Sequence, residues 1–105
     1  MITVISEFRL PEPVSKEQGQ ALFLGSAPKY QQADGLIRKY YLLSEDGSTV
    51  SGVYLWDDRA AAEAMFDAGW KAFIQEKYGS EPKVTYFDTP VVVDNVTNEV
   101  VEAEY

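Results

Sequence analysis

Two consecutive runs, Leu36 to Leu43 and Val50 to Trp56, carry large apolar side chains at both parities. Neighbouring side chains on a strand point to opposite faces, so parity assigns each residue to a side. In the first run Leu36, Arg38, Tyr40 and Leu42 oppose Ile37, Lys39, Tyr41 and Leu43; in the second, Gly52, Tyr54 and Trp56 oppose Val53 and Leu55. The linker Ser44-Glu45-Asp46-Gly47-Ser48 reads as a hairpin with Asp46-Gly47 at its tip. A sheet with one face in water alternates apolar with polar residues. This hairpin does not, so both of its faces need a cover.

The rest of the chain supplies helices for one face only. Ile2 to Leu10 alternates and is stopped by Pro11-Glu12-Pro13, which makes it a first strand. Ser15-Lys16-Glu17-Gln18 has capping-box spacing and opens a helix expected to run to about Leu24, where Gly25-Ser26-Ala27-Pro28 breaks it, with room for one more turn through Tyr30. Asp57 or Asp58 caps a second helical segment, Arg59 to Tyr78, with an apolar stripe through Ala62, Met65, Phe66, Trp70, Phe73, Ile74 and Tyr78. Gly69 is the expected point at which this segment divides. Lys83 to Asp88 forms a last strand, followed by the apolar Val91-Val92-Val93. The order βαββαβ is that of an α+β, ferredoxin-like domain, a four-stranded antiparallel sheet with its helices on one side. Residues 1–95 make that single domain, and residues 96–105 an acidic tail or arm, in which Val100-Val101 could join Val91 to Val93 against a partner. The economical cover for the second face is another copy of the chain, a sheet-to-sheet homodimer.

Composition narrows the chemistry. At 105 residues there is room for one domain, and there is no cysteine and no histidine. Disulfides, thiolate nucleophiles, histidine-based triads and the usual zinc or haem ligands are therefore excluded. The acidic residues have no ligand-loop spacing, so no metal site is expected. Asp and Glu number 17 against 9 Lys and Arg, a net charge of -8, which argues against a nucleic-acid partner. No stretch resembles a signal peptide or a membrane span, which makes the cytoplasm the expected location. Asn95-Val96-Thr97 matches a glycosylation acceptor but has no secretion signal to accompany it.

Four segments carry a family likeness: Ala27-Pro28-Lys29-Tyr30, Gly35-Leu36-Ile37-Arg38-Lys39-Tyr40-Tyr41, Gly52-Val53-Tyr54-Leu55-Trp56, and Val84-Thr85-Tyr86-Phe87-Asp88-Thr89-Pro90-Val91-Val92-Val93-Asp94. Together they resemble the YdhR-like mono-oxygenase family of the dimeric α+β barrel superfamily, which also holds the antibiotic-biosynthesis mono-oxygenases. Ser51 departs from the family pattern, where a second glycine is common. The resemblance implies a ferredoxin-like fold, a sheet-to-sheet dimer and oxidation of an electron-rich aromatic or polyketide-like molecule by molecular oxygen, with no metal, flavin or other cofactor.

Chemistry of that kind needs a base, donors for an oxyanion and a dry aromatic pocket. Lys39 is the candidate base or phenolate holder, Tyr54 a donor, and Trp70 a stacking group with an indole N–H; these are the candidate catalytic residues. Tyr41, Trp56, Phe66 and Tyr30 are the candidate substrate-binding residues. Each also has a structural use. Trp56, Trp70 and Phe66 suit a core, the tyrosines suit strands, and Lys39 could snorkel from an interface. Arg38 points away from Lys39 and suits an interface ion pair. The residues leave three activities open: a mono-oxygenase, a non-catalytic small-molecule-binding dimer, and a proton-transfer isomerase or cyclase built on the same pocket.

Overall fold

Alternation in the first strand survives in three dimensions: Ile2, Val4, Ser6 and Phe8 are buried, while Ile5, Glu7 and Arg9 face outward. The computed structural model describes residues 1–105. Its elements are β1 (Ile2–Arg9), α1 (Lys16–Gln31), β2 (Leu36–Leu43), β3 (Thr49–Trp56), α2 (Arg59–Met65), α3 (Ala68–Tyr78), β4 (Lys83–Asp88), β5 (Val91–Asp94) and β6 (Glu99–Glu102). The first four strands form one antiparallel sheet in the order β2-β3-β1-β4. This is the α+β, ferredoxin-like arrangement. No helix is long and apolar enough to cross a membrane.

Helix α1 begins where its sequence says. Ser15 Oγ accepts from the Gln18 N–H at 3.1 Å and Gln18 Oε1 accepts from the Ser15 N–H at 2.8 Å, a reciprocal cap. The helix does not stop at Leu24. It continues through Gly25 and Pro28 to Gln31. Pro28 deprives the Leu24 carbonyl of its partner, but both residues are exposed, so that carbonyl is open to solvent rather than buried without a donor. Burial of Tyr30 in the core holds the last turn in place. The extension carries Lys29 and Tyr30 over the sheet.

The second helical segment is interrupted three residues before Gly69. Phe66 leaves helical geometry, and Asp67 caps α3 by accepting the Trp70 N–H at 2.8 Å. Asp58, not Asp57, caps α2 by accepting the Ala61 N–H. Ala62, Phe66, Trp70 and Ile74 then pack with Tyr30 against Val4, Val50, Tyr54 and Trp56, one core between helices and sheet. Each large apolar side chain fully buried here contributes about 1.5–3 kcal/mol.

A bulge revises the parity of β2. Leu36 is opposite Trp56, but Arg38 is already opposite Leu55, leaving Ile37 as the extra residue. Beyond it, Lys39, Tyr41 and Leu43 are opposite Tyr54, Gly52 and Val50, so they share the helix side with Leu36. The other side of the sheet carries Ile5, Ile37, Tyr40, Leu42 and Phe87, all between 38% and 54% exposed, together with Val53 and Leu55. No element packs helices there.

After Pro90 the chain forms a separate hairpin in which Val92 pairs with Val101 and Val93 with Val100. Asp94 in β5 lies 3.6 Å from Arg38 in β2. Since β4 and β2 are opposite edges of the sheet, roughly three strand spacings or about 14 Å apart, the hairpin crosses the sheet's width. Arg38 thus finds its ion-pair partner within its own chain.

Candidate functional site

Strands β2 and β3 and helices α1 and α3 enclose a cavity of about 190 Å³. Lys39, Tyr41 and Tyr54 line it from the sheet, Tyr30 and Ser26 from α1, and Trp70, Phe73 and Lys77 from α3. Lys39 Nζ is 3.5 Å from the Tyr30 ring centroid, 3.6 Å from that of Tyr41 and 4.6 Å from that of Tyr54. Three π faces surround one amine. The rings favour its charged form, but burial disfavours it more, and the nearby Lys29 adds repulsion; the pKa is pushed down to about 7. An amine of this kind is in large part neutral at physiological pH.

Hydrogen bonds fix the tyrosines. Trp70 Nε1 donates to Tyr30 Oη at 3.0 Å, which leaves the Tyr30 proton free to point elsewhere. Tyr41 Oη shares a 2.7 Å hydrogen bond with Ser26. Ser6 Oγ donates to Tyr54 Oη at 3.5 Å, and burial raises the Tyr54 pKa far above its usual value. Tyr54 therefore remains a hydroxyl donor throughout the working pH range. Its position depends on Gly52, two residues back on the same face. A Cβ at Gly52 would sit 2.7 Å from the Tyr54 ring, 2.8 Å from its hydroxyl and 2.9 Å from Ser6 Oγ.

Five of the seven residues singled out from the sequence, Lys39, Tyr54, Trp70, Tyr41 and Tyr30, line this cavity. Phe66 and Trp56 do not; they stand behind it. Phe66 meets Tyr54, Trp56 and Trp70 edge to face, with centroids 4.8, 5.9 and 4.9 Å away. Trp56 is 1% exposed and its Nε1 has no hydrogen-bond partner. It borders a different recess with Trp70, Ala61 and Met65. On the outer side of Lys39 and Tyr41, a groove of about 880 Å³ runs between α1 and β2, sharing those two residues and Phe23 with the cavity.

Sequence reasoning does not single out Lys29, Ser26 or Lys77. A signal existed for Lys77: Trp70, Phe73 and Lys77 follow at i, i+3 and i+7, one stripe of a helix. Lys29 is hidden because its place depends on α1 continuing past Pro28.

No protein-family model and no curated protein sequence matches the chain. Solved structures do. The chain is similar to a monooxygenase from the ActVA-Orf6 gene of Streptomyces coelicolor in complex with nanaomycin D, at 18% identity over 84% of this chain and 86% of that one, TM-score 0.62. It shares its fold with antibiotic-biosynthesis monooxygenases. SnoaB, a cofactor-independent oxygenase from Streptomyces nogalater, matches at 17% identity over 84% of this chain and 91% of that one, TM-score 0.61. A Deinococcus radiodurans protein assigned as an antibiotic-biosynthesis monooxygenase matches at 16% identity over 90% and 97% of the two chains, TM-score 0.62. The shared fold places the Lys39 cage between its helices and its sheet.

Proposed function

We propose that the protein is a cofactor-independent mono-oxygenase of an aromatic or polyketide-like phenol, acting as a homodimer. The observation that carries the reading is the Lys39 amine held among Tyr30, Tyr41 and Tyr54 at an aromatic cavity. SnoaB, described as a cofactor-independent oxygenase, has the same fold and supports it.

Molecular oxygen is a triplet and reacts slowly with closed-shell molecules, so the substrate must first become electron-rich. The neutral Lys39 amine takes a proton from an activated methylene of the substrate, and the resulting carbanion delocalises onto a phenolate oxygen. Tyr54 and Tyr30 donate hydrogen bonds to that oxygen. The carbanion passes one electron to oxygen, and the two radicals combine into a C–O bond as a peroxide. The remaining C–H proton leaves as the O–O bond breaks, giving a ketone and water. The sum is CH2 + O2 → C=O + H2O, with the methylene supplying all four electrons.

Apolar exposure on the open sheet face supports the dimer. Ile5, Tyr40, Leu42, Val53 and Phe87 line a side that carries no helix, and a second copy would bury it at the scale of a stable interface, roughly 1,200 Å² or more.

Oxygen uptake with anthrone, quinol and catechol substrates tests the activity. Wild-type protein should consume oxygen above background, and Lys39→Ala and Tyr54→Phe should abolish uptake while changing ligand affinity only modestly. No uptake with any of the three classes would sink the oxygenase reading. Solvent hydrogen exchange into the substrate under anaerobic conditions, without aerobic uptake, would favour proton transfer as the activity.

A further inference from the structure

The cavity is positively charged in a strongly acidic chain. Asp and Glu outnumber Lys and Arg by 17 to 9, yet no carboxylate lines the cavity, and Lys29, Lys39 and Lys77 all do. Half of the protein's six lysines converge on one space. None of them has an ion-pair partner, since the ion pairs of the protein are Arg38–Asp94 and Arg59–Glu63; with the Lys39 pKa at about 7, the lasting positive charge is that of Lys29 and Lys77. Lys29 and Lys77 each occupy the last turn of a helix, where cations are favoured by the exposed carbonyls. That accounts for a lysine on each helix, but not for their meeting.

They meet over Phe73. Lys29 Nζ is 5.5 Å and Lys77 Nζ 5.7 Å from the Phe73 ring centroid, and the ring is 51% exposed. An exposed aromatic with a cation against it from each helix marks the mouth of the cavity, while Lys39 lies among the tyrosines. The volume sets a size. An apolar cavity of about 150 Å³ holds one benzene, so about 190 Å³ holds one ring with a small substituent, and the further rings of a fused substrate would extend into the adjoining groove past Phe23, Lys39 and Tyr41.

We propose that the cavity binds an aromatic carboxylate, its ring inside and its carboxylate held at the mouth between Lys29 and Lys77. The site supplies what such a ligand needs: ring faces from Tyr30, Tyr41 and Phe73, and charge-assisted donors where the anion emerges. This assignment takes the substrate pocket from the mono-oxygenase reading, but binding of the anion requires no turnover.

A matched pair of probes tests it. 4-Hydroxybenzoate and 4-hydroxybenzamide have the same shape and differ in charge. In titrations followed by amide chemical-shift changes of the 15N-labelled protein, the carboxylate should bind about tenfold more tightly than the amide or better. Lys29→Met combined with Lys77→Met should remove that advantage and leave amide affinity as in the wild type, and added salt should shrink it. The same spectra report whether the double variant is folded, and Lys29→Arg with Lys77→Arg, which keeps both charges, should retain the preference. Equal binding of the two probes, no binding of either, or a preference that survives loss of both lysines overturns the proposal. Oxygen uptake plays no part in the readout, so failure of the oxygenase reading and failure of this one are separate results.

Discussion

Leu36 and Lys39 share one face of β2 although they lie three positions apart, an odd step, because the bulge at Ile37 inserts one residue between their pairings with Trp56 and Tyr54. Without it, an unbroken register from Leu36 would turn Lys39 to the open face, away from Tyr30 and Tyr54. The cage around the amine is thus a product of a local irregularity in the strand.

Lys39 makes stability depend on pH. Its pKa falls from 10.5 in the unfolded chain to about 7 in the fold, so between those values the unfolded state binds more protons and stability rises with pH. Below pH 7 the penalty is present in full. Lys39→Met should raise the melting temperature at pH 6 by several degrees and by progressively less toward pH 10.5, as read by circular dichroism. A constant difference across that range would contradict the assignment.

The same titration governs the proposed reaction. If the neutral amine is the base, kcat/KM should climb with pH to a plateau with a midpoint near 7. Initial rates of oxygen uptake between pH 5.5 and 9 measure it, and a flat profile would point to another base.

Gly52→Ala should displace the Tyr54 hydroxyl. The added methyl meets Tyr54 and Ser6 at under 3 Å, an overpacking that costs about 1–3 kcal/mol. Urea unfolding should show the lower midpoint, and turnover should fall further than stability alone explains.

Two charges on the open face should separate the proposed dimer. Leu42→Glu with Phe87→Glu places carboxylates at two half-exposed apolar positions. Sedimentation equilibrium should give the 11.8 kDa monomer for this variant and twice that mass for the wild type; a monomeric wild type would end the dimer reading.

Strand order, hairpin and capping were legible because each rests on local chemistry. Ser15 and Gln18 cap α1 through their own side chains, and apolar residues at both parities of β3 mark a strand with little contact to water. Three features depended on packing beyond the local sequence. Pro28 stays helical because Tyr30, two residues on, is buried. The second helical segment breaks at Phe66, whose ring is fixed by Tyr54, Trp56 and Trp70, and not at the conformationally freer Gly69. The bulge at Ile37 leaves no mark in composition, so parity placed Leu36 on the wrong side. Within the site, Lys39 and the tyrosines could be named from the chemistry that the family resemblance implies, whereas Lys29 became part of the cavity only through the extended α1.

The rims of the sheet decide how copies can meet. A free edge strand offers unpaired N–H and C=O groups that invite another strand to add on, the route to open-ended aggregation. Edge β2 is interrupted near its start by the extra residue at Ile37, and edge β4 is only six residues long, begins with Lys83 and is followed shortly by Pro90. Both features discourage lateral strand addition. Apolar residues on the open face combined with two interrupted edges favour face-to-face contact between copies over strand addition to the main sheet.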